Sequence, residues 1–231
     1  MSQYKRLPVY LLIDTSGSMT GTPITQVEQG IKQLIADLKR DPQALETVYF
    51  SIITFNNEPQ QLKSLTSLID FPSDLGLSTG GGTELGKALR YVAECANREV
   101  IKRASPHVIA DSKPVFILMS DGVPTDDWKA GLAAFRATDV KWGIRIVGAV
   151  DEAYRNETSI SILNEVIAGD QPKEGTYQIF PIGTTNSGEM ASFFDWLTQT
   201  LTEASHTPDT NSSGSGPGLP PLPSMDNPWG I

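Results

Sequence analysis

Directly after the apolar run Val9–Ile13 stand Asp14, Thr15, Ser16, Gly17 and Ser18. One carboxylate and two hydroxyls occupy alternate positions. If the chain turns sharply where a strand ends, all three oxygens converge on one point. Such hard oxygens, with no Cys or His among them, suit Mg²⁺, Mn²⁺ or Ca²⁺ rather than zinc. Two later segments complete the set. Thr83 follows Gly80, Gly81 and Gly82, and Asp121 closes the second apolar run, Val115–Ser120. Taken singly, each fragment is an ordinary turn composition. Their order, each after a strand or before a helix, is what points to one cation centre.

Strand-length apolar runs alternate with helix-length amphipathic segments, the pattern of an α/β doubly wound, mostly parallel sheet with helices on both faces. Val9–Asp14 reads as a buried central strand, since a sheet covered on both sides needs continuous apolar runs. Pro23–Lys39 reads as a helix, with Ile24, Val27, Ile31, Leu34, Ile35 and Leu38 on one face. Asp41-Pro42 marks its stop. Thr47–Phe55 is a strand rich in β-branched and aromatic residues. Gln61–Ser64 is a short antiparallel edge strand after a turn at Asn56–Pro59. Leu65–Gly82 reads as a polar, Gly-rich connection. Helices are expected at Glu84–Arg103, Asp126–Ala137, Ser159–Ala168 and Ser187–Ala204. The remaining strands are Val115–Ser120, Trp142–Val150 and Thr176–Pro181.

The chain has 231 residues and a formal charge of −9. An acidic balance argues against broad binding to nucleic acid or anionic lipid, which needs a basic face. The one cysteine, Cys95, permits no internal disulfide and reads as a small helix filler. The two histidines, His107 and His206, lie far apart, which does not suit a zinc site. No apolar stretch approaches a bilayer span of about 18 residues. The expectation is a soluble, intracellular protein. Residues 1–205 form the domain. Residues 206–231 form a disordered Pro/Gly/Ser-rich tail, and its end, with Trp229, holds either a stray aromatic or a short docking motif.

Glu84 and Asp126 flank the candidate ligands and read as helix N-terminal charges. Thr20, Thr22 and Thr125 read as turn and cap residues. Gly81–Lys87 matches G-x-x-x-x-G-K, but Ala88 stands where a phosphate loop needs Ser or Thr, and no clean strand precedes it. No G-x-G-x-x-G follows the first strand, as a dinucleotide site requires.

The D-x-S-x-S of Asp14–Ser18, with Thr83 and the Asp121-Gly122 pair, resembles the von Willebrand factor A domain and its metal-ion-dependent adhesion site. That resemblance implies that Ser16, Ser18 and Thr83 ligate Mg²⁺ (or Mn²⁺ or Ca²⁺) through hydroxyls. Asp14 and Asp121 would bind directly or through water. A Glu or Asp from a partner protein would fill the exchangeable position, and the module would bind without catalysis. Pro8–Met19, Asp41–Thr47 and Ser51–Phe55 are similar to the bacterial tellurium-resistance branch called TerY. Members are cytoplasmic and associated with stress-response systems containing a protein kinase and a PP2C-like phosphatase, so the resemblance implies a scaffold for such partners. Two alternatives stand. One is a Mg²⁺-dependent phosphohydrolase of the haloacid dehalogenase type, although Ser16 replaces the acid such enzymes use. The other is a metal-independent structural scaffold.

Overall fold

The computed structural model describes residues 5–72, 74–103, 105, 107–168, 177–185, 187–207 and 219–222. Strand β1 (Leu7–Asp14) is buried along its whole length. After a 3₁₀ turn at Gly17–Met19 comes helix α1 (Thr22–Leu38), then α2 (Pro42–Thr47) and β2 (Val48–Phe55). Strand β3 (Pro59–Ser67) precedes α3 (Leu85–Glu99), β4 (Val115–Ser120) and α4 (Trp128–Arg136). The chain continues through β5 (Arg145–Val150), α5 (Glu152–Arg155), α6 (Glu157–Ala168), β6 (Tyr177–Ile182) and α7 (Ser187–His206).

The six strands form one sheet in the order β3-β2-β1-β4-β5-β6. Only the β2–β3 pair is antiparallel. Strand order reverses between β1 and β4, which are direct neighbours. In an open sheet of this kind that is where the carboxyl ends of two strands leave a crevice. Register aligns Ile13 with Met119, so Asp14 ends level with Ser120.

Side chains of β1 alternate between two cores, which explains why its run is apolar throughout. Val9, Leu11 and Ile13 enter the core under α1 and α7. Tyr10 and Leu12 enter the core under α3, α4 and α6. The six apolar residues of the α1 face are all buried. Each contributes about 1.5–3 kcal/mol by leaving water.

Two helix pairs meet at a glycine that leaves no room for a Cβ. An ideal Cβ on Gly30 of α1 would fall 2.0 Å from the Phe194 ring of α7. One on Gly131 of α4 would fall 2.1 Å from the Gly86 carbonyl oxygen of α3. The second core also holds an aromatic group in which Phe135 stacks on Trp142 at 5.1 Å and Tyr10 meets Trp142 edge-on at 5.6 Å.

Several boundaries differ from the sequence expectation. Asp41-Pro42 ends α1 and also opens α2, because the Ala44 amide donates to Asp41 Oδ1 at 2.7 Å and Pro42 suits the first turn. The edge strand runs over Pro59–Ser67 rather than four residues, with register shifts between Phe50 and Ile53 of β2. The stretch read as a polar connection buries Leu68 and Phe71. Helix α3 stops at Glu99, four residues before the expected Arg103. There the Ile101 amide turns away to Asp111 Oδ2, and Arg6 grips the same carboxylate with two nitrogens. Trp142 precedes β5 and fills the aromatic group. The short α5 has no counterpart among the expected helices. Residues 208–218 and 223–231 of the expected tail lie outside the described residues. Among the described residues no helix is long and apolar enough to cross a membrane.

Candidate functional site

At the carboxyl end of β1 the chain turns so that the Ser16 amide donates to Asp14 Oδ1 at 2.8 Å. Ser120, the last residue of β4, donates its hydroxyl to Asp14 Oδ2 at 2.6 Å. Both oxygens of this buried carboxylate are therefore held. A hydroxyl relay follows. Ser16 Oγ lies 3.1 Å from Ser18 Oγ, and Ser18 Oγ donates to Asp121 Oδ1 at 2.9 Å. Four of the five sequence candidates thus form one connected group across two adjacent strand ends.

Thr83 reaches the group through backbone ties. The Gly17 amide donates to the Gly81 carbonyl at 3.0 Å, and the Gly80 amide to the Thr15 carbonyl at 2.8 Å. Gly81 has φ of +79°, and a Cβ there would lie 2.8 Å from the Asn57 side chain. Glycine is therefore needed both for conformation and for room. Asn57 Oδ1 in turn accepts from the Gly82 amide at 2.7 Å. Thr83 and Thr125 are locked together. The Thr83 amide donates to Thr125 Oγ1 at 3.1 Å, and the Thr125 amide to the Thr83 carbonyl at 2.9 Å. An ideal Cβ on Gly122, next to Asp121, would stand 3.6 Å from Thr83 Oγ1. That hydroxyl makes no hydrogen bond to another described residue.

Sequence reasoning missed Ser120, Asn57 and the role of Thr125. Ser120 looks like the polar end of a buried strand, and only the β1–β4 register puts it against Asp14. Asp126 does carry a helix N-terminal charge, but for α3. Its two carboxylate oxygens accept from the Gly86 and Lys87 amides at 3.0 and 2.9 Å. Asp127 caps α4 instead, accepting from Ala130. Glu84 makes an i,i+3 ion pair with Lys87 at 3.7 Å. Lys87 also pairs with Glu58 at 2.8 Å, an exposed surface contact rather than a phosphate ligand.

Among the described residues, the hydrogen-bond partners of Asp14 and Asp121 are uncharged serine groups. Burial raises the Asp14 carboxyl above its ordinary value, against the hydrogen bonds of Ser120 and Ser16. Burial also pushes Asp121 up to about 6, and the negative Asp14 adds to the effect. The unfolded chain has an ordinary carboxylate value near 3.9. A raised folded value gives stability that is present at low pH and lost as pH rises through about 6. We therefore expect the metal-free protein to lose about 1–2 kcal/mol from this residue between pH 4 and 7, after allowance for solvent screening. Urea melts across that range should show the loss, and Asp121→Asn should remove it. Equal pH slopes in wild type and variant would refute the assignment.

Among the described residues no three His, Cys, Asp or Glu side chains cluster as metal ligands. Any ion held here would depend on the hydroxyls as well as the two aspartates.

A family model described as "von Willebrand factor type A domain" matches residues 9–190. Inter alpha-trypsin inhibitor heavy chain 4 of Mus musculus is 28% identical over 126 residues, covering 51% of this chain and 12% of that protein. The chain thus spans only a small part of the length of this curated relative. Among solved structures, the pilus adhesin SpaC of Lactobacillus rhamnosus GG superposes with a TM-score of 0.64 at 13% identity, over 88% of this chain and 31% of that one. The ArnB paralog VWA2 of Sulfolobus acidocaldarius gives 0.55 at 19% identity, over 88% and 46%. At those identities the likeness is one of fold. The family match spans both strand ends, the glycine loop and Asp121, so the chain belongs to the von Willebrand factor type A domain family.

Proposed function

We propose that this chain is a non-catalytic protein-binding module that uses a divalent cation, Mg²⁺ or else Mn²⁺ or Ca²⁺, to capture an acidic residue of its partner. The observation that carries the reading is the linked group Asp14, Ser16, Ser18 and Asp121, with Thr83 Oγ1 close to Gly122, the neighbour of Asp121, and without a hydrogen bond to another described residue. The donors are all hard oxygens, and two carboxylates match the charge of a divalent ion. When bound, the ion would supply an electrophilic position for a carboxylate from outside.

The chain's own residues then have distinct tasks. Asp14 and Asp121 supply charge, directly or through water. Ser16, Ser18 and Thr83 offer neutral oxygens. Ser120 and the Ser16 amide hold Asp14 in place, and Thr125 holds Thr83. The two raised carboxyls make a metal-free site that gains by taking up positive charge. A hydrolytic reading has less support, because Ser16 sits where a haloacid dehalogenase-type enzyme needs an acid.

Relatives whose fold this chain shares include a pilus adhesin, which supports binding rather than catalysis. At the finer level we place the chain beside the TerY-like proteins, as a cytoplasmic scaffold in a tellurite or stress-resistance system. Its partners there would be a protein kinase and a PP2C-like phosphatase. The test is partner capture from a native lysate, with Mg²⁺ and then with chelator, using wild type and Thr83→Ala. Capture should fall in both the chelated sample and the variant. Undiminished capture in chelator would favour a metal-independent scaffold.

A further inference from the structure

Helix α7 carries Trp196 halfway along the face it turns to the first core. The indole is only 4% exposed and packs against Phe180 with ring centroids 5.8 Å apart. Its cover is not completed by the sheet alone. The Nε1–H donates to the carbonyl oxygen of Pro220 at 3.2 Å, across 24 residues of sequence. Pro220 is itself buried, and Leu219 packs against the same core. Beyond them the contact fades, because Leu222 is 41% exposed.

We propose that the Trp196 face of α7 is a binding site for a short proline-rich strand, occupied in cis by this chain's own Leu219–Leu222 as a releasable latch. The chemistry is that of aromatic grooves that take polyproline segments. A flat ring offers apolar area to prolyl rings, and an indole N–H gives the one directional bond to a prolyl carbonyl. The segment Leu219-Pro220-Pro221-Leu222-Pro223 is suited to it. Proline presets an extended backbone and has no N–H to leave unpaired, so little order is lost on docking.

Covalent reach allows the cis arrangement. Twelve peptide steps join Thr207 to Leu219 and span at most about 40 Å. A tether of that length raises the local concentration of the segment to roughly millimolar. One hydrogen bond and two covered residues make a weak contact on their own. The latch therefore closes because it is tethered, and it can be displaced. The lower end of α7 is fixed separately, where Gln43 Nε2 donates to the Ser205 carbonyl at 2.8 Å and His206 meets Asp41. Release of the latch need not unravel the helix.

The test uses the full chain with a double substitution, Leu219→Asp and Pro220→Gly, which leaves residues 1–207 untouched. The readout is the Trp196 indole ¹H–¹⁵N resonance and its exchange with solvent. We expect the resonance to move and its exchange to quicken by about tenfold or more in the variant. A synthetic peptide of residues 217–223 should restore the resonance. Wild type should need about tenfold more peptide before any peptide binding is detected, because its site is already filled. An indole unchanged by the double substitution would overturn the latch, and so would a peptide that fails to restore it. Release of the wild-type indole on dilution, together with loss of a dimer, would assign the occupant to a second copy and overturn the cis arrangement.

Discussion

Asp14→Asn is expected to abolish saturable Mg²⁺ binding while leaving the fold intact. The side chain is fully buried, and both its oxygens already have donors from Ser16 and Ser120. Asparagine has nearly the same shape. Its oxygen can keep the bond from the Ser16 amide, and its NH₂ can donate to Ser120 Oγ, which is also an acceptor. What disappears is one of two negative charges in a site where burial weakens solvent screening. Loss of an outer partner of a metal ligand costs about 10–100-fold in affinity, so loss of a charged group within the set should exceed that. The same change removes the field that helps hold Asp121 high, so the Asp121 carboxyl should titrate at lower pH in the variant. Calorimetric titration of Mg²⁺ and Mn²⁺ into chelator-treated protein, with a melting curve beside it, checks both halves. Unaltered affinity would place the ion elsewhere and sink the proposed site. An unfolded variant would show instead that Asp14 serves chiefly to tie β1 to β4.

Gly131→Ala is the substitution expected to cost most stability. Its Cβ would be driven to 2.1 Å from the Gly86 oxygen and 2.3 Å from the Gly86 Cα. Those atoms are backbone of the facing helix, so no rotamer change relieves the clash. Helices α3 and α4 must separate, and overpacking of this kind costs about 1–3 kcal/mol or more. The damage should reach the site. The segment leading into α4 carries Thr125, which locks Thr83, and Asp126, which caps α3. We therefore expect a melting temperature lower by about 5–10 °C, or failure to fold, with metal affinity reduced in whatever folds. Gly21→Ala is the contrast. Gly21 has φ of +90° and ψ of −124° and nothing within 4 Å of its ideal Cβ, so the cost is backbone strain only, about 1–3 kcal/mol, with no helix forced apart. A Gly131→Ala protein that melts at the wild-type temperature would show that α3 and α4 do not pack through their glycines.

Local chemistry carried much of this protein into view. The run of β1 is apolar at every position because the strand is covered on both faces, and continuous burial leaves a mark at each residue. The helix period of α1 survives for the same reason. Asp14, Ser16 and Ser18 stand within five residues, so a single turn sets their proximity. Asp121 could be placed with them because parallel strands of a doubly wound sheet leave their carboxyl ends on one edge.

Other features arise only when distant segments meet. Ser120 bonds Asp14 across 106 residues through strand register. Thr125 locks Thr83 across 42. Asp126 caps the helix it does not precede, because α4 meets α3 at a glycine that leaves no room for a Cβ. Arg6 and Asp111 draw the chain away from α3 before its helical pattern is spent. Pro220 completes the cover of Trp196 from a segment whose composition resembles any solvated tail. Periodicity and composition record how a residue meets solvent or its own element. They do not record which far residue offers a hydrogen bond, since that pairing costs nothing in local pattern. The sequence by itself therefore determined the sheet, its long helices and the oxygen-bearing turn. Tertiary structure alone decided how that turn is held, which helix each acidic cap serves, and what lies over Trp196.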